Sequence, residues 1–464
     1  MEDHSPRIVI DFDESFADAL EFTAGLTPEA FPNLVRSLVP AWVEEALHAT
    51  GTATVRKRRL PADRTVWLVL AMALMRDGPI TQVAEQLELA LPDAAGNRTV
   101  APSALVQART RLGADPMEWL FLRTGEEWGD ASAARDRWRG LGLYAVDGTT
   151  LRVADSDVNR AHFGGQDAGE VHGTSGYPLM RVVVLMAVRS HLLTAASFGP
   201  YNIDERTYAR ALWGSVPDHS LVLVDRNYLQ ADVLVPMMSV GLQRHWMTRA
   251  KSTTMFRQIR KLGSGDDLVE MEVSGEARKK NLALPTHFDV RAVRYQRKGF
   301  QPQILLTSLL DEKRYPADEI RALYHERWEI ELGFGEIKTD MLERFETIRS
   351  KSPPAVAQEM WGILTAYNLV RLEIERIADE LHVPPIRISF VAALRFFVEQ
   401  WQWAAMTSTP GAIPRRLTTM RDKIRRFVLP PRRPERAYPR AVKIKMSNYA
   451  RKRPATSPSR SRAK

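Results

Sequence analysis

Four side chains in the segment Tyr324-His-Glu-Arg327-Trp-Glu-Ile-Glu331-Leu-Gly-Phe-Gly-Glu-Ile-Lys338 have the types and spacing to handle a phosphate. The segment follows Pro316-Ala-Asp318, a proline-and-acid start of the kind that opens a helix. On a helix turning about 100° per residue, with Tyr324 at zero, Arg327 falls near 300°, Glu331 near 340° and Lys338 near 320°. A phenol, a guanidinium, a carboxylate and an ammonium therefore share one narrow stripe. One acid among cations suits a metal-binding carboxylate flanked by phosphate clamps. Gly335 lies on the same stripe, where a mid-helix glycine costs about 1 kcal/mol relative to alanine. Close approach by a DNA backbone is one reason to tolerate it. Charges at this spacing also serve as a plain solvated helix face, and the residue types alone leave both readings open. Gly333-Phe-Gly335 follows a helix rather than a strand, so it does not read as a nucleotide loop.

Two further carboxylates are placed by strands. Leu143-Tyr-Ala-Val-Asp147-Gly148 predicts a short apolar strand ending in an Asp-Gly turn, and Leu221-Val-Leu-Val-Asp225 predicts a buried strand that also ends in aspartate. Carboxylates at two strand ends of one sheet can meet at its edge, where open sheets carry their sites. Each is by itself equally an ordinary turn aspartate. Between them the sequence predicts a polar, Gly-rich loop from Asp155 to Gly176, strands over Arg181–Val188 and Leu192–Phe198 joined by a tight turn, and a helix over Asp204–Trp213. His162 and His172 have no cysteine nearby and no short spacing, so they read as loop residues rather than ligands.

Residues 1–130 read as helical. Thr27-Pro28-Glu29 caps a short helix, and others span Pro40–Ala49, Pro61–Met75, Ile80–Leu91 and Ser103–Leu112, the last stopped by Gly113. The last two resemble a helix-turn-helix across a long loop, with polar and basic residues on the second helix; plain helical packing explains them equally well. Arg56-Lys57-Arg58-Arg59 is a short basic run suited to phosphates or to solvent. Residues 236–310 read as mixed strand and basic loop. Leu364–Leu381 and Ile388–Trp403 read as long amphipathic core helices, and the chain from Arg451 onward as disordered.

The length of 464 residues fits roughly three domains of about 150 residues. No apolar run long enough to span a bilayer occurs, and the N-terminus is acidic and polar, which predicts no membrane span and no signal peptide. The absence of cysteine excludes disulfides, thiolate zinc sites and cysteine nucleophiles, and fits a reducing cytoplasm. The net charge of +9 is concentrated at one end: Gly411–Lys464 holds 18 Lys and Arg against Asp422 and Glu435. A basic tail on an acidic body reads as a polyanion-binding arm, or as a solubilising tail.

Three motifs carry a resemblance: Asp147-Gly-Thr149, Asp225-Arg-Asn-Tyr228, and Tyr324-x2-Arg327-x3-Glu331-x6-Lys338. Together with Asp157-Val-Asn159, Phe163-Gly164 and Tyr177-Pro-Leu-Met-Arg181, they resemble bacterial DDE transposases of the insertion-sequence-four family, relatives of the Tn-five and Tn-ten enzymes. The likeness covers most of the chain, to Tyr438-Pro-Arg440. It implies an α/β fold: a ribonuclease H-like catalytic core (136–235 and 311–405) with a β-rich insertion (236–310), a helical N-terminal DNA-binding domain (1–135), and a basic C-terminal region (406–464). It implies that Asp147, Asp225 and Glu331 form the catalytic, metal-binding triad, and that Tyr324, Arg327, Lys338 and Arg249 hold DNA phosphates. Implied partners are the double-stranded terminal inverted repeats, target DNA and a second copy of the chain in a synaptic dimer, in a bacterial, nucleoid-associated setting.

The chemistry follows from the donors. In-line phosphodiester cleavage is served by two divalent ions roughly 3.5–4 Å apart, and an all-oxygen ligand set favours Mg²⁺, with Mn²⁺ as a substitute. The resemblance implies a cut-and-paste transposase, against a non-catalytic DNA-binding relative or a nuclease without strand transfer. Two positions depart from the family pattern. Asn227 replaces Gly or Ala, and Asn tolerates positive φ. Gln303 stands where Tn-five-like members have a tryptophan that stacks a flipped base, so Trp246, then Tyr295, is expected to take that role in a hairpin route.

Overall fold

The computed structural model describes residues 40–53, 59–93, 96–97, 99–165, 176–296, 302–343, 347–406 and 413–431. The basic run Arg56–Arg58, His172, Thr27-Pro28-Glu29, Tyr438-Pro-Arg440 and most of the basic tail lie outside the described residues. The chain opens with helices α1 (Pro40–Ala49), α2 (Ala62–Leu74), α3 (Ile80–Gln86), α4 (Pro102–Leu112) and α5 (Asp115–Thr124). A π-helical turn, Gly125–Asp130, joins α5 to α6 (Ala131–Arg135). Gly113 stops α4 as expected, with a φ of 72° that favours glycine.

The sheet begins with β1 (Gly142–Val153), followed by α7 (Asp157–Phe163), β2 (Leu179–Ala187), β3 (Leu193–Pro200), α8 (Glu205–Ala211), β4 (Ser220–Val224), α9 (Ala231–Ser239) and β5 (Arg244–Arg249). Then come β6 (Arg257–Gly263), β7 (Asp266–Glu272), α10 (Gly275–Lys280), β8 (His287–Tyr295) and β9 (Gln303–Thr307). Helices α11 (Ala317–Leu323) and α12 (Trp328–Gly335), the short β10 (Thr347–Ile348), and α13 (Pro353–Glu380), α14 (Phe390–Met406) and α15 (Ile413–Ile424) complete the described chain. The ten strands form one sheet in the order β3-β2-β1-β4-β5-β9-β8-β7-β6, with β10 beside β1. β3, β2 and β1 are antiparallel neighbours, and β1, β4 and β5 run parallel.

This is a mixed α/β fold, and the alternation of β1 explains how it packs. Leu143 and Ala145 enter one buried cluster while Tyr144 and Val146 enter another, so the strand is covered on both faces. The first cluster runs from α1 and α2 through β1 to α13, so the N-terminal helices and the later helices share one core. Among the described residues, no helix is long and apolar enough to cross a membrane.

Two expectations are corrected. The loop predicted from Asp155 contains helix α7, because Ser156 caps it and buried Asn159 donates to the Ala154 and Ser350 carbonyls. The boundary expected at 236 falls inside α9, and β5 pairs in parallel with β4, so the sheet continues unbroken into the stretch read as an insertion. On α4, where the sequence left groove binding and plain packing both open, Arg109 donates to Gln358, Ser350 and the Ala355 carbonyl and so serves packing against α13.

Gly125 tests the close packing of the helical end on the sheet. A Cβ there would lie 2.3 Å from the Thr194 carbonyl oxygen, a backbone atom of β3 that cannot swing aside. Gly125→Ala is expected to destabilise the protein by about 1–3 kcal/mol, read as a lower midpoint in urea. An unchanged midpoint would show that α5 and β3 separate freely.

Candidate active site

The parallel register of β1 and β4 ends on the pair Val146–Val224, and the next residue on each strand is an aspartate, Asp147 and Asp225. Asp147 Oδ1 accepts the Gly148 amide at 2.8 Å. Burial pushes the Asp147 carboxyl up to about 7; the Gly148 amide and Arg327 oppose the shift, and the charges of Glu205 and Asp225 add to it. Two aspartates and a third acid, Glu205, thus crowd one partly desolvated place.

The helical segment facing them is irregular. α11 passes through a 3-10 turn at Tyr324–Arg327 into α12, and then through a π-helical turn at Glu336–Met341. The uniform helix expected over Tyr324–Lys338 is corrected accordingly, and its side chains still converge. Arg327 Nη2 donates to Glu331 Oε1 at 2.9 Å and also acts electrostatically on Asp147. Burial raises the Tyr324 phenol, Arg327 and Arg249 lower it, and Asp225 raises it. Lys338 Nζ lies 3.4 Å from Thr149 Oγ1, two residues beyond Asp147. Arg249, the last residue of β5, donates to Gln303 Oε1 at 3.1 Å. Asp147, Asp225, Glu331, Tyr324, Arg327, Lys338 and Arg249 are therefore gathered where β1 passes beyond its pairing with β4, beside the C-terminal ends of β4 and β5; Asp147 lies within β1 rather than at the Asp-Gly turn that the sequence suggested.

Among the described residues, no three acidic or histidine side chains form a ready metal cage. Glu331 instead engages Arg327. The donors are nevertheless all hard oxygens, and the raised Asp147 carboxyl marks a place where negative charge lacks sufficient compensation. That combination fits a hard divalent cation once Glu331 exchanges its guanidinium partner.

The back of the same helix is held by residues that the sequence reading did not single out. Arg371 of α13 pairs with Glu336 through two nitrogens and lies 2.6 Å from His191 Nδ1. His191 Nε2 lies 2.9 Å from Glu329, and Tyr367 donates to Glu336 at 2.7 Å. Burial pushes the Glu336 carboxyl up, but Arg371 and His191 outweigh it and hold it down at about 2. Gly333 completes the contact: a Cβ there would lie 3.0 Å from Met186 Sδ. The available signal was the placement of Glu329 and Glu336 on the face of the helix away from the Tyr324–Lys338 stripe, where an acid turned inward and left unpaired would be costly.

Other expectations are also corrected. Trp246 is 0% exposed and pairs with Val222 inside the sheet, so it cannot stack a base from DNA. Alternation explains this: Met247 belongs to the cluster on which Tyr324 and Tyr295 pack, so the side of β5 that bears Arg249 faces the site and that of Trp246 faces away. Tyr295 lies on the site's side, hydrogen-bonded to His325 and paired across strands with Gln303. Asn227 sits in a 3-10 turn, not at positive φ. Gly335 has nothing within 4 Å of an added Cβ, so internal packing does not require it. His162 closes α7, edge-on to Phe163.

Comparison with known proteins gives two family matches, one to the N-terminal region of the insertion element 4 transposase over residues 28–122 and one to the transposase DDE domain over residues 138–369. The chain is 39% identical over 414 residues to the transposase InsG for insertion sequence element IS4 of Escherichia coli (strain K12), covering 89% of this chain and 92% of that one. It is 35% identical over 235 residues to the putative transposase InsZ of the same organism, covering 50% of this chain and 77% of the relative. A cryo-EM structure of a piggyBac transposase synaptic complex with hairpin DNA aligns over 91% of this chain and 84% of that one, at 11% identity and a TM-score of 0.36.

The crowding at Asp147 has a measurable consequence in the metal-free protein. Its folded pKa of about 7 lies above the unfolded value near 3.9. The neutral carboxyl's contribution to stability is therefore complete below pH ~4 and is lost as pH rises through about 7. Asp147→Asn cannot ionise, so its melting temperature is expected to exceed the parent's by more at pH 8 than at pH 5. A gap independent of pH would contradict the burial of this carboxylate.

Proposed function

The chain belongs to the DDE transposases of the insertion-element-4 family and is an enzyme of insertion-sequence transposition, and we propose that it acts by cut-and-paste at its element's terminal inverted repeats. The observation that carries this reading is the parallel register that sets Asp147 beside Asp225, opposite the helix bearing Glu331. In our reading the first five strands are a ribonuclease H-like core. The DDE domain implies use of divalent metal; Asp147, Asp225 and Glu331 would hold two Mg²⁺. When bound, such ions supply an activated nucleophile and stabilise the leaving oxygen.

The chain's own residues orient the DNA. Arg327, relieved of Glu331, offers a planar fork to a phosphate. Lys338 adds a point charge beside Thr149, and Tyr324 donates a phenolic proton that burial helps to retain. Arg249, positioned by Gln303, brings a second guanidinium from the sheet side. Each of Asp147→Asn, Asp225→Asn and Glu331→Gln is expected to abolish Mg²⁺-dependent cleavage of end duplexes while leaving end binding and folding close to the parent. Wild-type cleavage by Glu331→Gln would reject the assignment.

The N-terminal helices are proposed to bind the ends, through the face of α4 opposite Leu105, Ala108 and Leu112. That face exposes Ser103, Gln107, Thr110 and Arg111, polar and basic groups suited to a groove, with the apolar Val106 among them. Arg111→Ala should weaken binding to end duplexes by about 1–3 kcal/mol. Sedimentation of the same complexes should show two protein copies joining two ends. Parental affinity for Arg111→Ala would exclude this face, and a complex with a single copy would exclude the dimer.

For second-strand cutting we propose a hairpin in which a flipped base rests on Tyr295. This ring lies on the site's side of the sheet, next to Gln303. On a denaturing gel, precut ends with Mg²⁺ should give an abnormally migrating hairpin whose yield falls in Tyr295→Ala. Clean double-strand breaks without that species would reject the route.

A further inference from the structure

Three motif residues singled out by the sequence, Gly148, Arg181 and Tyr228, come from separate elements and converge on one side chain that no motif contains. Glu205, the first residue of α8, accepts the Tyr228 hydroxyl on Oε1 at 2.7 Å and Arg181 Nη1 on Oε2 at 3.1 Å. Its carboxyl group lies so near Gly148 that a Cβ there would be 2.5 Å from Glu205 Cδ. A glutamate tip would ordinarily swing away from such a clash. This one is held by two donors on different elements, and moving it would leave the fully buried Tyr228 hydroxyl without that acceptor. Gly148 lies in regular strand pairing with Val183, so glycine is required here by proximity, not by φ.

The placement of the partners gives the carboxylate its role. Gly148 follows Asp147, and Tyr228 lies three residues after Asp225, in the 3-10 turn that leaves β4. Beyond Val146–Val224 no strand pairing between β1 and β4 holds these two positions together. Arg181 sits on β2 opposite Thr150, so its bond to Glu205 ties the clamp to the other neighbour of β1. We propose that Glu205 is a positioning residue of the reaction, a buttress that fixes the spacing of Asp147 and Asp225 by holding Gly148, Tyr228 and Arg181 to one carboxylate. This rests on the reading that Asp147 and Asp225 are metal-binding carboxylates. Glu205 itself needs no contact with DNA or metal, because its oxygens are already engaged by Tyr228 and Arg181.

Mn²⁺ titrated into the full-length protein, followed by loss of the free ion's paramagnetic resonance signal, tests this independently of cleavage. Glu205→Gln keeps the shape but replaces one of the two accepting oxygens with an NH2 group, which cannot accept from Arg181 or Tyr228. Tyr228→Phe removes a single oxygen and leaves the Glu205 charge in place. Each is expected to weaken Mn²⁺ binding about tenfold, the cost typical of losing a partner that orients a ligand. The double variant should be no weaker than either single one, because both act through the same carboxylate. Near-ultraviolet circular dichroism identifies variants that fold as the parent does; should Glu205→Gln fail, Tyr228→Phe decides. Affinities within about twofold of the parent in both variants would overturn the proposal. Loss in Glu205→Gln alone would reduce Glu205 to its charge and overturn positioning equally. Undiminished binding in Asp147→Asn would instead defeat the metal-site reading on which the buttress depends.

Discussion

The constraint on which the site depends is electrostatic: several carboxylates must share one partly buried place without a full complement of cations. Asp147 shows the strain most directly, with burial, Glu205 and Asp225 together raising its carboxyl to about 7. Unbalanced like charges at this depth would normally drive strand ends apart or keep the acids protonated. The fold resists both. The parallel β1–β4 register fixes where the acids start, and Arg327 places one guanidinium between Glu331 and Asp147. A site built in this way has reason to bind divalent cations and phosphates together, since each offsets charge that the other needs.

Holding an acid-bearing helix over such a site requires purchase on its other face. The buried set of Arg371, Glu336, His191, Glu329 and Tyr367 provides it, joining the helix to the β2–β3 turn and to α13. A buried ion pair is weak evidence for net stability, because desolvation cancels much of its attraction. It is strong in orientation, because each donor has few acceptable directions and misplacement leaves a charge unpaired. Glu336 also begins the π-helical turn, so the residue that anchors the helix stands where its winding changes. Stiffness behind the helix and exposed charge in front are thus parts of one arrangement. Strands β7 and β8 are tied in similarly: fully buried Arg291 pairs with Asp266 and donates to the Tyr315 carbonyl at 2.6 Å, just ahead of α11.

The sequence by itself determined the local elements and the chemistry they carry. Proline starts, the Gly113 stop and the apolar runs that reach Asp147 and Asp225 act within a few residues, and most helices and strands lie close to where those signals put them; the turn expected at Asp147-Gly148 is instead the middle of β1, which continues to Val153. The spacing of Tyr324, Arg327, Glu331 and Lys338 put them on one stripe because seven residues are nearly two helical turns, and that near-coincidence survives the 3-10 and π-helical turns. What the sequence misjudged was orientation across the sheet. Trp246 and Arg249 are three residues apart on one strand and so face opposite sides, which decides that the tryptophan is core and the arginine is near the site. Only the tertiary structure decided the partners: that Arg109 turns to α13, that Arg371 and His191 clasp the back of the helix bearing Glu331, and that Glu205 collects three separate motifs. The reason is physical. Helix and turn signals are short-range in the chain, whereas a buried charge is acceptable only where distant segments bring its counter-charge, and no local pattern records which segments those will be.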